Sequence, residues 1–208
     1  VSSFRDVTSF QKAQPDSATI TPLFGLSKNK WSGATYRSQD FTDVSFNPVK
    51  EVSIPPVNEW TGNSFDRDRE VKAFYADVIN SISDSAKEPI GKEHSSIYEP
   101  LANELNFLSQ QKANRKVLLV YSDLMENLPG FSLYHQKDFT LLVKSPDKVR
   151  AYFLNKIPLN NLNGIEVFLI YQPENSTDDY QYQIVSKFYK TMLESAGATV
   201  IISANLQN

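Results

Sequence analysis

The chain has 208 residues, of which 40% are hydrophobic, 22% charged and 12% aromatic, and its formal net charge is -3. So many apolar and aromatic residues exclude a disordered chain, and the near-balanced charge offers no global attraction for nucleic acid or an anionic membrane. There is no cysteine, which removes disulfides, thiolate catalysis and Cys-ligated zinc, and no run reaches the roughly 18 apolar residues of a membrane span.

The length suits one large domain, residues 1–208, able to bury a sizeable core. The chain begins with Val1 rather than Met. That implies removal of preceding residues, a targeting segment among the candidates, and it leaves the compartment open.

Residues 1–5 (VSSFR) are a short first strand that ends at Asp6. Residues 15–26 stay ambiguous, because Pro22 and Gly25 interrupt any helix. Residues 33–38 (GATYRS) and 49–54 (VKEVSI) read as an antiparallel strand pair joined through Asn47-Pro48 and closed by Pro55-Pro56. Residues 65–82 then carry Val71, Phe74, Tyr75, Val78, Ile79 and Ile82 as a helical stripe. A second helix over 96–108 turns Ile97, Leu101, Leu105 and Leu108 inward, and Ser96 with Glu99 forms a capping box.

The C-terminal half alternates strand and helix. Residues 116–121 (KVLLVY), 165–171 (IEVFLIY) and 198–203 (ATVIIS) are short apolar runs fit for buried parallel strands. Between the first two, Ser145-Pro146 opens a helix whose inner face is Val149, Phe153 and Ile157. Between the last two, a helix starts near Thr177-Asp178, runs through Ile184, Phe188, Met192 and Ala196, and stops at Gly197. Strands that alternate with such helices predict an α/β fold. Its form is three-layer and doubly wound (Rossmann-like), with a mostly parallel sheet and one antiparallel edge strand.

Three short motifs bear oxygen ligands: Asp6-Val7-Thr8-Ser9, Ser95-Ser96-Ile97-Tyr98 at a helix start, and Tyr121-Ser122-Asp123 at the end of an apolar strand. Each also has a local reading. Asp and Thr bond nearby backbone in turns, Ser caps helices, and loop Asp residues are common at strand ends. In that order, however, the motifs and elements resemble a von Willebrand factor A (vWA) domain over most of the chain. The resemblance implies a metal-ion-dependent adhesion site at the carboxyl edge of the sheet, with Asp6, Thr8, Ser95 and Asp123 as ligands. The ion would be Mg²⁺, or Mn²⁺ or Ca²⁺, since hard cations take carboxylate and hydroxyl oxygens. Phe10 stands where the family's first motif ends in Ser, so the site is a degenerate one.

The function implied is a non-enzymatic adhesion or scaffold domain for a protein partner. Two alternatives stand beside it: a metal-dependent hydrolase using the same carboxylates, with His94 or Glu126 as base, and a scaffold that has lost its metal. No Gly-x-Ser-x-Gly, Walker A or Gly-x-Gly-x-x-Gly motif is present. In the loop after Asp123, Glu126 reads as a solvated acid, and Phe131 and Tyr134 read as core. Asp178-Asp179 reads as helix N-terminal acids that favour the dipole.

Overall fold

The computed structural model describes residues 17–39, 49–85 and 95–204. They fall into two compact units, 17–39 with 49–85 and, separately, 95–204.

In the first unit, Pro22 and Gly25 divide the ambiguous segment. Helix α1 (Ser17–Ile20) passes into a 3-10 turn (Thr21–Phe24), which ends at Gly25 in the left-handed region, φ 68°. Strands β1 (Ala34–Ser38) and β2 (Lys50–Ile54) pair antiparallel, with Ala34 opposite Ile54 and Ser38 opposite Lys50. They form a two-stranded sheet of their own. Arg37 and Glu51 face each other across it and are ion-paired at 2.6 Å.

Helix α2 (Ser64–Ser85) follows. Asn63 caps it, accepting from the amides of Phe65 and Asp66 at 2.9 and 3.3 Å. The predicted stripe is buried only along its centre: Phe74 and Val78 join Ile20, Leu26 and Ile54, while Ile79 stays exposed. Phe24 meets Phe74 edge-on at 5.0 Å. Arg67 is buried as well, and its guanidinium donates to the carbonyls of Lys30 and Ser32, both at 2.6 Å, and to Glu70. Trp31 lies against Gly62, where an added Cβ would meet its ring at 2.5 Å, and Trp60 is exposed.

The second unit is an α/β arrangement compatible with the Rossmann-like class. Helix α3 (Tyr98–Gln110) leads into β3 (Lys116–Tyr121), then a small hairpin of β4 (Asn127–Leu128) and β5 (Phe131–Ser132). Helices α4 (Gln136–Lys144) and α5 (Pro146–Lys156) connect to β6 (Ile165–Ile170), and α6 (Ser176–Ser195) connects to β7 (Thr199–Ser203). The three long strands form a parallel sheet in the order β3-β6-β7.

Strand order equals chain order, so successive right-handed crossovers return to the same face of the sheet. Residue alternation agrees. Val120, Ile165, Val167, Leu169 and Val200 lie in one cluster with Leu101 and Leu105 of α3, Phe139 of α4, Phe153 of α5 and Tyr189 of α6. Burying an aliphatic side chain of this kind stabilises by about 1.5–3 kcal/mol. Glu166, Phe168 and Ile201, at the intervening positions, lie outside that cluster.

Helix ends differ from expectation in three places. The capping box of Ser96 and Glu99 does not form. The helix begins at Tyr98, and a carboxylate from elsewhere takes its first amides. Ser145 is placed as the N-cap of α5, but its side chain makes no capping bond. At α6, Asn175 is the cap, accepting from Thr177 and Asp178. Gly197 ends α6 as read, with φ 102°.

Candidate functional site

The carboxyl edge of the parallel sheet begins where β3 stops. One further ladder bond, from the Ser122 amide to Ile170 O at 3.2 Å, carries the strand past Tyr121. The chain then turns sharply. The Leu124 amide donates to Ser122 Oγ at 3.0 Å, and the Met125 amide donates to Asp123 Oδ1 at 3.1 Å. Between them Leu124 holds φ 62°, the one left-handed non-glycine among the described residues. A β-carbon disfavours that conformation, so it persists only where surrounding contacts enforce it. Here Leu124 and Met125 are buried and both flanking side chains hold the turn.

Asp123 is itself buried. Its Oδ1 accepts from Met125 N and Ser122 Oγ, and its Oδ2 accepts from the Tyr134 hydroxyl at 2.7 Å. Tyr134 reaches in from a partly exposed position, not from the core as expected. Phe131 is buried, as expected. A similar bond closes the edge after β6, where the Tyr171 hydroxyl donates to Asp178 Oδ2 at 2.7 Å. Asp178 also accepts from the Glu174 amide at the start of α6.

Ser95 comes to the same loop. Its backbone exchanges hydrogen bonds with Asn127 at 3.1 and 2.9 Å, and its hydroxyl donates to Met125 O at 3.3 Å. Ser95 and Asp123 are therefore both bonded to Met125, the first at its carbonyl and the second at its amide. Asp6, Thr8 and Phe10 lie outside the described residues, as does His94. His135 is exposed and sits at the N-cap of α4.

Glu126 is the largest departure from expectation. Instead of facing solvent it is completely buried. The amides of Ile97 and Tyr98 donate to its Oε2 at 3.1 and 2.9 Å, so it caps α3 from across the loop. A carboxylate suits the positive end of a helix. Burial nonetheless dominates and pushes its pKa up to about 7, against the opposing pull of those two amides and of Lys156. Its Oε1 and the hydroxyl of Tyr189 are both buried with no other partner among the described residues, and the hydroxyl lies beside the carboxylate as its natural donor. Burial, and then the field of Glu126, hold the Tyr189 hydroxyl well above the usual tyrosine range.

Around this acid the packing is aromatic. Tyr98 stacks on Phe153 at 4.6 Å, and its hydroxyl donates to Ile157 O at 2.6 Å. Glu126 had one sequence signal: it is an acid flanked by Leu124, Met125 and Leu128. Tyr189 had none beyond its place on the inner side of a helix.

Among the described residues, no group of three or more His, Asp or Glu side chains stands close enough to hold a metal ion. No helix among them is long and apolar enough to cross a membrane. No family model, curated protein or solved structure matches the chain.

Proposed function

We propose that the chain is a non-enzymatic interaction module of the vWA type that presents the carboxyl edge of its parallel sheet to a protein partner. Open α/β sheets bind ligands at that edge, in loops that follow the strands. The observation that carries the reading is the loop after β3. Asp123 and Ser122 hold a left-handed Leu124 in place, and Tyr134 closes over the carboxylate. A loop so constrained keeps one shape before a partner arrives, which lowers the entropy lost on binding.

The cation of an adhesion site fits the described half of its ligand set poorly. Both Asp123 oxygens already accept protein hydrogen bonds, and Ser95 Oγ is turned toward Met125 O. The proposed edge therefore works without a resident metal. The hydrolase reading has less support, because Glu126 is buried beneath α3 and serves as its cap.

The test is a calorimetric titration of the chain with Mn²⁺, alongside a screen of phosphoester and ester substrates with Mn²⁺ added. No binding and no turnover are expected. Mn²⁺ binding lost in Asp123→Ala would restore the cation-dependent form, and turnover would overturn the non-enzymatic reading.

A further inference from the structure

The chain contains one Asn-Gly pair, Asn163-Gly164, and three Asn-Ser pairs, Asn63-Ser64, Asn80-Ser81 and Asn175-Ser176. In such pairs the amide nitrogen of the second residue can attack the asparagine side chain, because a small neighbour leaves the approach open. The attack needs a nitrogen not committed to a hydrogen bond and a side chain not held elsewhere.

The structure separates the four pairs on those two requirements. Asn63 Oδ1 holds the Phe65 amide at 2.9 Å, and Asn175 Oδ1 holds the Thr177 and Asp178 amides, both at 3.0 Å. Asn80 lies within α2, where the Ser81 amide belongs to the helix ladder. Asn163 and Gly164 are both exposed, on the turn closed by the Ile165 amide donating to Leu162 O at 3.1 Å. The Gly164 amide has no hydrogen-bond partner among the described residues, and open space surrounds the position of its missing Cβ.

We propose that Asn163-Gly164 is a self-modification site that deamidates in the folded protein, and that its products loosen the end of α6 from the turn before β6. The Gly164 nitrogen attacks Cγ of Asn163 and closes a cyclic imide. The bond from Cγ to the side-chain nitrogen breaks, and ammonia leaves with the proton that Gly164 gives up through water. A water molecule then opens the ring. Cleavage at Cγ leaves aspartate at 163, and cleavage at the backbone carbonyl leaves isoaspartate, with the main chain routed through the side chain. Nothing is oxidised or reduced.

The consequence follows from where Asn163 sits. Its Oδ1 lies against Gly197, 2.3 Å from where a Cβ would stand, and the neighbouring Leu162 amide donates to Ala196 O at 2.8 Å. The turn therefore seats the carbonyl end of α6, where a negative charge is unfavourable. Isoaspartate also lengthens the main chain between Leu162 and Ile165, both of them buried.

The experiment ages the wild-type chain at pH 8 and 37 °C, digests it, and follows each asparagine by mass spectrometry with fragmentation. Asn163 should convert an order of magnitude ahead of the three Asn-Ser pairs, into separable aspartate and isoaspartate peptides. The aged protein should melt a few degrees lower, and Asn163→Asp should show part of that drop without ageing. Asn163→Gln, whose longer side chain closes a less favourable ring, should keep its melt on ageing. Asn163 converting no faster than Asn80 would overturn the site, and aspartate as the single product would overturn the imide route. Equal melts for aged and fresh protein, or for Asn163→Asp and wild type, would overturn the effect on α6.

Discussion

Replacing Asp123 by Ala tests whether this carboxylate builds the loop or is held ready for a ligand. The variant removes the acceptor for the Met125 amide, in a residue that is 2% exposed. A buried donor left without a partner costs about 1–3 kcal/mol. It also removes the bond from the Tyr134 hydroxyl, worth about 1 kcal/mol after discounting for the exposure of that tyrosine. The sum is about 2–4 kcal/mol. Asp123→Asn keeps Oδ1 for Met125 and should lose only about 1 kcal/mol. Urea unfolding followed by far-UV circular dichroism measures both through the midpoint, with the slope unchanged. Tyr134→Phe completes a double-mutant cycle, with an expected coupling of about 1 kcal/mol. A loss under about 0.5 kcal/mol in Asp123→Ala, the scale of an ordinary surface change, would refute the clamp and return the carboxylate to a ligand role.

Three further outcomes follow from the structure. Glu126 has its folded pKa raised to about 7 from 4.5, so its contribution to stability is complete below 4.5 and is lost as pH rises through 7. The loss is about 3 kcal/mol, and the difference between wild type and Glu126→Gln in urea melts at pH 4.5 and 8 isolates it. Gly197→Ala meets a left-handed φ of 102° and Asn163 Oδ1 at 2.3 Å from the new Cβ, and should lower the thermal midpoint by several degrees, for a cost of about 1–3 kcal/mol. Arg67→Met leaves the carbonyls of Lys30 and Ser32 without their guanidinium donor, and should lower the stability of the unit of residues 17–39 and 49–85 by about 2–4 kcal/mol, read from the midpoint of a denaturant series.

The parallel strands were legible because each is an apolar run bounded by polar turns. The 116–121 segment matches β3 at both ends. Helix α6 was legible from its spacing and from Gly197. The antiparallel pair was legible from its two short runs, although which sheet it joins depends on long-range pairing. Helix α4 was not foreseen: its inner face rests on only Phe139 and Leu142, with Leu141 and Val143 turned outward. The start of α3 was misread because a local Ser-x-x-Glu pattern competes with a cap supplied from 28 residues away. For the candidate site, Ser95 and Asp123 each bond Met125, one at its carbonyl and one at its amide. Their hydrogen-bond commitments, and the burial of Glu126, arise from tertiary contacts that no local pattern encodes.

Both tryptophans of the chain, Trp31 and Trp60, belong to the unit of residues 17–39 and 49–85, and the 95–204 unit is rich instead in buried tyrosines such as Tyr98, Tyr182 and Tyr189. The two units therefore carry separate optical labels without any engineering. Indole emission follows one, and near-ultraviolet ellipticity in the tyrosine band is weighted toward the other. Overlaying the two melts shows whether the units unfold as one cooperative block or in sequence. A destabilising change such as Asp123→Ala should move the tyrosine signal, and the indole signal shows whether the other unit follows it or melts on its own.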